Sequence, residues 1–354
     1  MLQPKMRIKR LDDFRWIAAF LVVAIHTSPL ESVSETADFL LTRVIARVAV
    51  PFFFMVTGYF VLYGENRKKR LIHTLKKTGS WYLALSLLYL PIQLYKLLEQ
   101  KISVAYVGEF FKMVLFDGTF YHLWYLPALM LGLLVAFFLL HLGDKTAFLC
   151  AGALYIVGLL GDSYYGITER IPFLNSIYNG MFQLFSHTRN GLFYAPLFLL
   201  LGYEMAALYK EKGGLSGNLP RNGLLCMLFM VAEGMILHFY KFQRHDSMYL
   251  ILPFVMLYLF GFLLSDKREG KKNPFYLKGP MLVYFLHPFV ILILRGFVKV
   301  TKWEVFLKVS PLYYLSVLAG SLCIAFLCLW AEKFWKHKRR KNHVSEKQTR
   351  QGMA

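Results

Sequence analysis

Along the chain, runs of about 20 mostly apolar residues alternate with short polar segments, the period a bilayer imposes on spanning helices. The runs fall at 14–30, 44–64, 78–98, 122–142, 146–161, 191–209, 222–240, 248–265, 280–298 and 311–331. They predict an all-α, polytopic membrane fold of about ten transmembrane helices. The runs at 14–30 and 146–161 are short, so their ends are soft. Two further stretches, 102–116 and 171–185, are amphipathic and are expected to be re-entrant or to lie in the interface. The pattern leaves no stretch from which to build a soluble domain. It divides the chain into a membrane domain over 1–331 and a basic tail over 332–354 that is expected to be disordered and cytoplasmic, where it can meet anionic lipid.

Composition agrees with the pattern and adds orientation. Hydrophobic residues make up 57 % of the 354 and charged residues 18 %, where an ordinary soluble domain is about half apolar and a quarter charged. The formal net charge is +20. A chain this basic first suggests nucleic acid, but the charge sits in short loops between apolar runs, where it sets membrane orientation. Basic residues gather at Lys5, Arg7, Lys9 and Arg10, at Arg67–Arg70 with Lys76 and Lys77, at Lys267, Arg268, Lys271, Lys272 and Lys278, and in the tail from Lys333. These segments share one side if the number of spans is even. A multi-pass cell-membrane protein with both termini cytoplasmic is therefore expected, with the lipid bilayer as partner and no nucleic acid. Cys150, Cys226, Cys323 and Cys328 lie inside apolar runs without a C-x-x-C pair and read as core residues rather than a disulfide framework or metal site. No metal is expected. The first run ends in His26-Thr27-Ser28-Pro29, which is not a small-residue cleavage site, so it is expected to remain as a helix. A homo-oligomer is compatible with all of this.

Ionisable groups inside apolar runs are costly to bury and are the natural functional candidates. The first run holds Arg15 and His26, about 16 Å apart along a helix at about 1.5 Å per residue. His26 is either a structural histidine bonded to a neighbouring helix or a general base. Glu233 lies deep in the seventh run, where a carboxylate must be protonated or paired; it is a candidate partner for the His26 imidazole. His122 and Trp124 open the fourth run, and His287 stands in the ninth. Asp162, Arg189 and Asp246 lie at loop edges, where solvated side chains are the commoner outcome. Trp124 also fits an interfacial aromatic belt. Arg67-Lys68-Lys69-Arg70 reads either as a positive anchor or as a phosphate-binding site, since guanidinium forks grip phosphate oxygens in pairs.

Arg15-x10-His26, Arg67-x-x-Arg70, the block Val50-Pro51-Phe52-Phe53-Phe54-Met55-Val56-Thr57-Gly58-Tyr59, and the later blocks His122-Leu123-Trp124-Tyr125-Leu126 and Phe285-Leu286-His287-Pro288 together resemble the integral-membrane acyltransferase-3 family over Leu11 to about Ala331. Within that family, Tyr121–Tyr125, Gly161-Asp162-Ser163, Thr188-Arg189-Asn190-Gly191 and His245–Leu250 resemble the membrane half of the vancomycin-resistance serine racemases. Those proteins continue into a pyridoxal-phosphate domain. This sequence offers no Schiff-base lysine in a soluble barrel, so racemase activity is not expected of it.

The resemblance implies transfer of an acyl group, acetyl by preference, from cytoplasmic acyl-CoA as co-substrate to a hydroxyl on the extracytoplasmic side, with a cell-surface glycan, a lipid-linked sugar or another small hydroxyl-bearing acceptor as partner. Arg67 and Arg70 would hold coenzyme A phosphates. His26, with Arg15 and Glu233 in support, would be catalytic. His122, Trp124, Asp162, Arg189, Asp246 and His287 would contact the acceptor. The racemase-like segments imply an alternative of another class: an uptake module supplying an amino acid such as serine, with Asp162, Arg189 and Asp246 holding a zwitterion. A membrane scaffold that binds a soluble partner through its basic loops is a third.

Overall fold

The structure, a computed structural model, describes residues 7–99, 105–266, 268–270 and 273–351. Lys5, Lys267, Lys271, Lys272 and the first residues of the 102–116 segment lie outside them. Among the described residues the fold is all-helical, and the one non-helical pairing is an isolated antiparallel bridge between Ile8 and Glu269. The main helices are α1 (Lys9–Thr27), α2 (Glu35–Val61), α3 (Arg67–Glu99), α4 (Ala105–Lys112), α5 (Tyr125–Leu142), α6 (Asp144–Leu160), α7 (Tyr165–Glu169), α8 (Pro172–Leu184), α9 (Ala195–Lys212), α10 (Leu219–Phe239), α11 (Leu252–Leu264), α12 (Pro274–Thr301), α13 (Val305–Lys308) and α14 (Ser310–Gln351). Each of the apolar runs falls on a helix. Among the described residues five helices, α2, α5, α10, α12 and the Ser310–Lys336 part of α14, are long and apolar enough to cross a membrane by themselves.

The ends follow ordinary capping rules. Asn218 accepts from the Arg221 amide and Asn273 from the Phe275 amide, each just ahead of a proline that suits a first helical turn. Gly213 closes α9 at φ 71°, a left-handed cap that glycine takes without steric cost. Two boundaries differ from expectation. Arg67–Arg70 is the first turn of α3 itself rather than a loop before it. The tail is not irregular as far as Gln351: α14 continues into it, supported near its exit from the apolar part by Glu332, which accepts from both Lys278 and Lys336.

The helices form two compact units: one takes the chain up to Ser32 and again from Glu269, the other Val33–Arg268. In the first, α1 packs on α12 and α14 through Ala19 and Val23 against Val283, Val290, Ile291, Tyr313 and Val317. The Trp16 indole donates to the Tyr276 carbonyl at 3.1 Å. Ser32 and Ser310 exchange backbone and hydroxyl hydrogen bonds at the far end. In the second, α9 packs on α2, α5 and α6, and α10 on α11. The α2–α9 seam is closest at two glycines: a Cβ on Gly58 would lie 2.0 Å from the Leu199 carbonyl oxygen, and one on Gly202 2.1 Å from that of Met55. Small residues let membrane helices approach this far.

Within α2 the α-helical ladder widens to a π turn over Phe39–Val44 and then tightens over Ile45–Val48. Widened turns release carbonyls from the ladder. The Arg43 carbonyl accepts from the Tyr249 hydroxyl at 2.8 Å and from Arg47 Nε at 3.4 Å. The irregularity therefore aims two arginines at the loops that follow α6, α8 and α10.

Candidate functional site

Two polar groupings stand out, one inside each unit. In the first unit the His26 and His287 rings stack, with centroids 5.2 Å apart and an interplanar angle of 23°. His26 occupies the last turn of α1 and is partly exposed; His287, in the middle of α12, is fully buried. The local sequence fixes the second ring. Pro288 has no amide hydrogen to give to the carbonyl of Tyr284, and His287 Nδ1 lies 2.8 Å from that freed oxygen. A carbonyl only accepts, so Nδ1 carries the proton and the neutral ring keeps its basic lone pair on Nε2. His287 was expected among acceptor-binding residues; the structure puts it beside His26. Arg15, in the second turn of α1, pairs with Asp12 through Nη1 and Oδ1. Asp12 is itself wedged against Gly270, where a Cβ would meet Oδ2 at 2.2 Å.

Glu233, expected as a partner for His26, is held by groups of its own unit. Oε1 accepts from the Tyr164 hydroxyl at 2.8 Å and the Leu250 amide at 2.6 Å, and Oε2 from the Ile251 amide at 3.0 Å. It pins the turn ahead of α11 to α10, a structural use that resolves the cost of burying a carboxylate.

In the second unit, the loops 161–164, 185–194 and 241–251 meet around Asp162, which is fully buried rather than solvated. Oδ1 accepts from the Ser247 and Met248 amides at 2.7 and 2.9 Å and from the Ser163 hydroxyl at 3.0 Å; Oδ2 has no hydrogen-bond partner among the described residues. Burial raises its pKa to about 6, opposed by the Ser247 hydrogen bond and the Arg189 and Arg47 charges. Arg189 donates to the Ser247 hydroxyl at 3.1 Å and lies 5.1 Å above the Trp124 ring, a cation–π geometry; burial lowers its pKa to about 10. Asp246 faces Arg43 at 4.0 Å on the rim. His187 and His245 stack at 4.2 Å, and burial, then the neighbouring arginines, push them down to about 2 and about 4. The structure thus gathers Trp124, Asp162, Arg189 and Asp246 from four separate segments. His122 packs instead among Tyr89, Phe120 and Tyr121. Arg47, overlooked in the sequence because it lies in an apolar helix with no motif around it, joins the group.

At the start of α3, Arg70 is committed to the Val61 and Tyr63 carbonyls, closing the end of α2. Arg67 lies 5.5 Å over the Phe137 ring. Lys68 and Lys69 are exposed beside it on the first turn of the helix. Three cations at a helix N-terminus fit a phosphate, with Arg67 rather than Arg70 as the available guanidinium.

A bundle of apolar helices with buried ionisable groups defines a polytopic membrane protein. The profile of the acyltransferase domain (Acyl_transf_3) matches residues 8–330, and the chain belongs to that family. It is 39 % identical over 341 residues to an amino-acid racemase of Enterococcus faecalis, covering 92 % of this chain and 46 % of that protein. It is 44 % identical over 269 residues to a second amino-acid racemase of the same organism, covering 74 % and 36 %. It is 37 % identical over 345 residues to a serine/alanine racemase of Enterococcus gallinarum, covering 94 % and 48 %. The chain spans less than half the length of these relatives. No solved structure matches it.

Proposed function

We propose that the chain is a membrane acyltransferase that moves an acyl group, acetyl by preference, from cytoplasmic acyl-CoA to a hydroxyl of an extracytoplasmic acceptor such as a cell-surface glycan or lipid-linked sugar. Family membership supports the reaction class, and the observation that carries the site is the stacked His26–His287 pair with one tautomer fixed by Pro288. An alcohol is a weak nucleophile and gains about 10²–10⁴ in rate from a positioned base. A ring nitrogen of the pair takes the acceptor's hydroxyl proton, the oxygen attacks the thioester carbonyl, and the thiolate leaves and is protonated to the free thiol. Arg67, Lys68 and Lys69 are the residues suited to hold the donor's phosphates. Purified protein in proteoliposomes, given radiolabelled acetyl-CoA, is expected to release free coenzyme A and lose that activity at least 100-fold in His26→Ala. Full activity in that variant would remove His26 from the mechanism.

A second reading, amino-acid uptake, is favoured by one observation: Trp124, Asp162, Arg189 and Asp246 converge within one unit, in a chain whose relatives are named for amino-acid racemisation. Labelled serine uptake that depends on the protein, without acyl transfer, would select it.

A further inference from the structure

The Asp162 grouping holds more buried cation than its partners account for. Arg47 is 8 % exposed, yet its guanidinium makes one hydrogen bond among the described residues, from Nε to the Arg43 carbonyl at a long 3.4 Å. Arg189 likewise makes one, to Ser247. A guanidinium offers a fork of N–H donors, and leaving several unmet in a buried place is costly. Opposite them Asp162, the only fully buried carboxylate among the described residues, has one oxygen saturated and the other without a hydrogen-bond partner. Neither arginine reaches it within salt-bridge distance. The site is thus short of an acceptor on one side and of a donor on the other, and the ring of Trp124 lies beneath Arg189.

We propose that Arg47 and Arg189 bind the carboxylate of a small α-amino acid whose ammonium donates to the open oxygen of Asp162. A planar carboxylate suits two guanidinium forks, and an adjacent ammonium completes the remaining acceptor. Inorganic phosphate suits the arginines but would face the Asp162 carboxylate with like charge. Asp246, held by Arg43 on the rim, leaves the ammonium to Asp162. The assignment deepens the uptake reading by naming both ends of the ligand, and it stands apart from chemistry at His26.

The full chain in detergent, titrated calorimetrically with glycine, L-serine, acetate and inorganic phosphate, tests it. Glycine and serine are expected to bind saturably, acetate at least tenfold more weakly, and phosphate not at all. Arg47→Gln and Arg189→Gln should each weaken glycine at least tenfold. Asp162→Asn should bring glycine to the level of acetate while leaving acetate unchanged. His26→Ala should retain glycine binding, so that a failure of transfer and a failure of this site are told apart. Acetate or phosphate binding as well as glycine, no glycine binding at all, or glycine binding that survives Arg47→Gln, would each overturn the proposal. Should the variants not fold, the ranking of the four probes in the unaltered protein decides.

Discussion

At the scale of single residues, the most informative step is Pro288. It frees the Tyr284 carbonyl, and the imidazole that precedes it takes the vacancy. Pro288→Ala restores an amide that competes for that oxygen and so loosens the tautomer of His287. A helix interior accepts alanine well, so the fold should survive. Transfer activity is expected to fall by about tenfold or more, at unchanged thermal stability, in line with the worth of a correctly held base. Nuclear magnetic resonance of ¹⁵N-labelled imidazoles would read the tautomer directly; a spectrum unchanged by Pro288→Ala would refute the link. Arg15 and His26 were legible in the sequence as ionisable groups in an apolar run. The His26–His287 pairing was not, because residues 261 positions apart meet only through the packing of α1 on α12. Glu233 was legible as an anomaly, but the groups that hold it were not: the Leu250 and Ile251 amides carry no sequence signature, and nothing around Tyr164 points its hydroxyl at this carboxylate.

At the scale of elements, helix existence followed from apolar periodicity, while helix ends did not, since caps and charged first turns are read by neighbours rather than by hydropathy. The π turn in α2 had no sequence signal at all, because it is stabilised from outside by the Tyr249 hydroxyl. The α2–α9 seam gives a sharp prediction. With backbone oxygens standing where a methyl would go at Gly58 and Gly202, Gly58→Ala or Gly202→Ala must force the helices apart. Overpacking costs about 1–3 kcal/mol, so each variant should lower the thermal midpoint by several degrees; Gly152→Ala, which meets open space, should not. The loops around Asp162 carry a pH prediction. His187 and His245 titrate lower when folded, at about 2 and about 4, than their ordinary value near 6.5. The unfolded loops therefore bind protons first, and stability is lost as pH falls from 6.5 towards 4. Asp162, raised to about 6, acts in the opposite sense between pH 4 and 6, and Arg189 and Arg244 stay positive throughout that range. Two histidines outweigh one carboxyl, so amide protection factors in 185–190 and 241–247, corrected for the intrinsic pH dependence of exchange, should fall on acidification. Larger protection factors at pH 4.5 than at pH 7 would reverse the assignment.

At the scale of the whole molecule, either function requires the two groupings to face particular sides of the membrane. Basic residues accumulate on the cytoplasmic side of a bilayer, so the start of α3, with Arg67, Lys68 and Lys69, is predicted to be cytoplasmic. Counting apolar runs from there predicts 161–164, 185–190 and 241–247 on the opposite side, the one from which an extracytoplasmic acceptor or an external amino acid would arrive. Cys150, Cys226, Cys323 and Cys328 all lie within helices and form no disulfide among the described residues, so they can be replaced by serine or alanine as a background for single-cysteine mapping. In that background, Ser163→Cys is a poor probe because its hydroxyl is used by Asp162 and by the His245 carbonyl. Lys241→Cys and Lys68→Cys are exposed and better suited. In intact cells an impermeant maleimide is expected to label position 241 and not 68, and in inverted vesicles 68 and not 241. Labelling of both from one side would mean an even number of crossings between them. Arg67 and Asp162 would then face the same solution, and neither transfer across the bilayer nor uptake through it could use the two groupings as proposed.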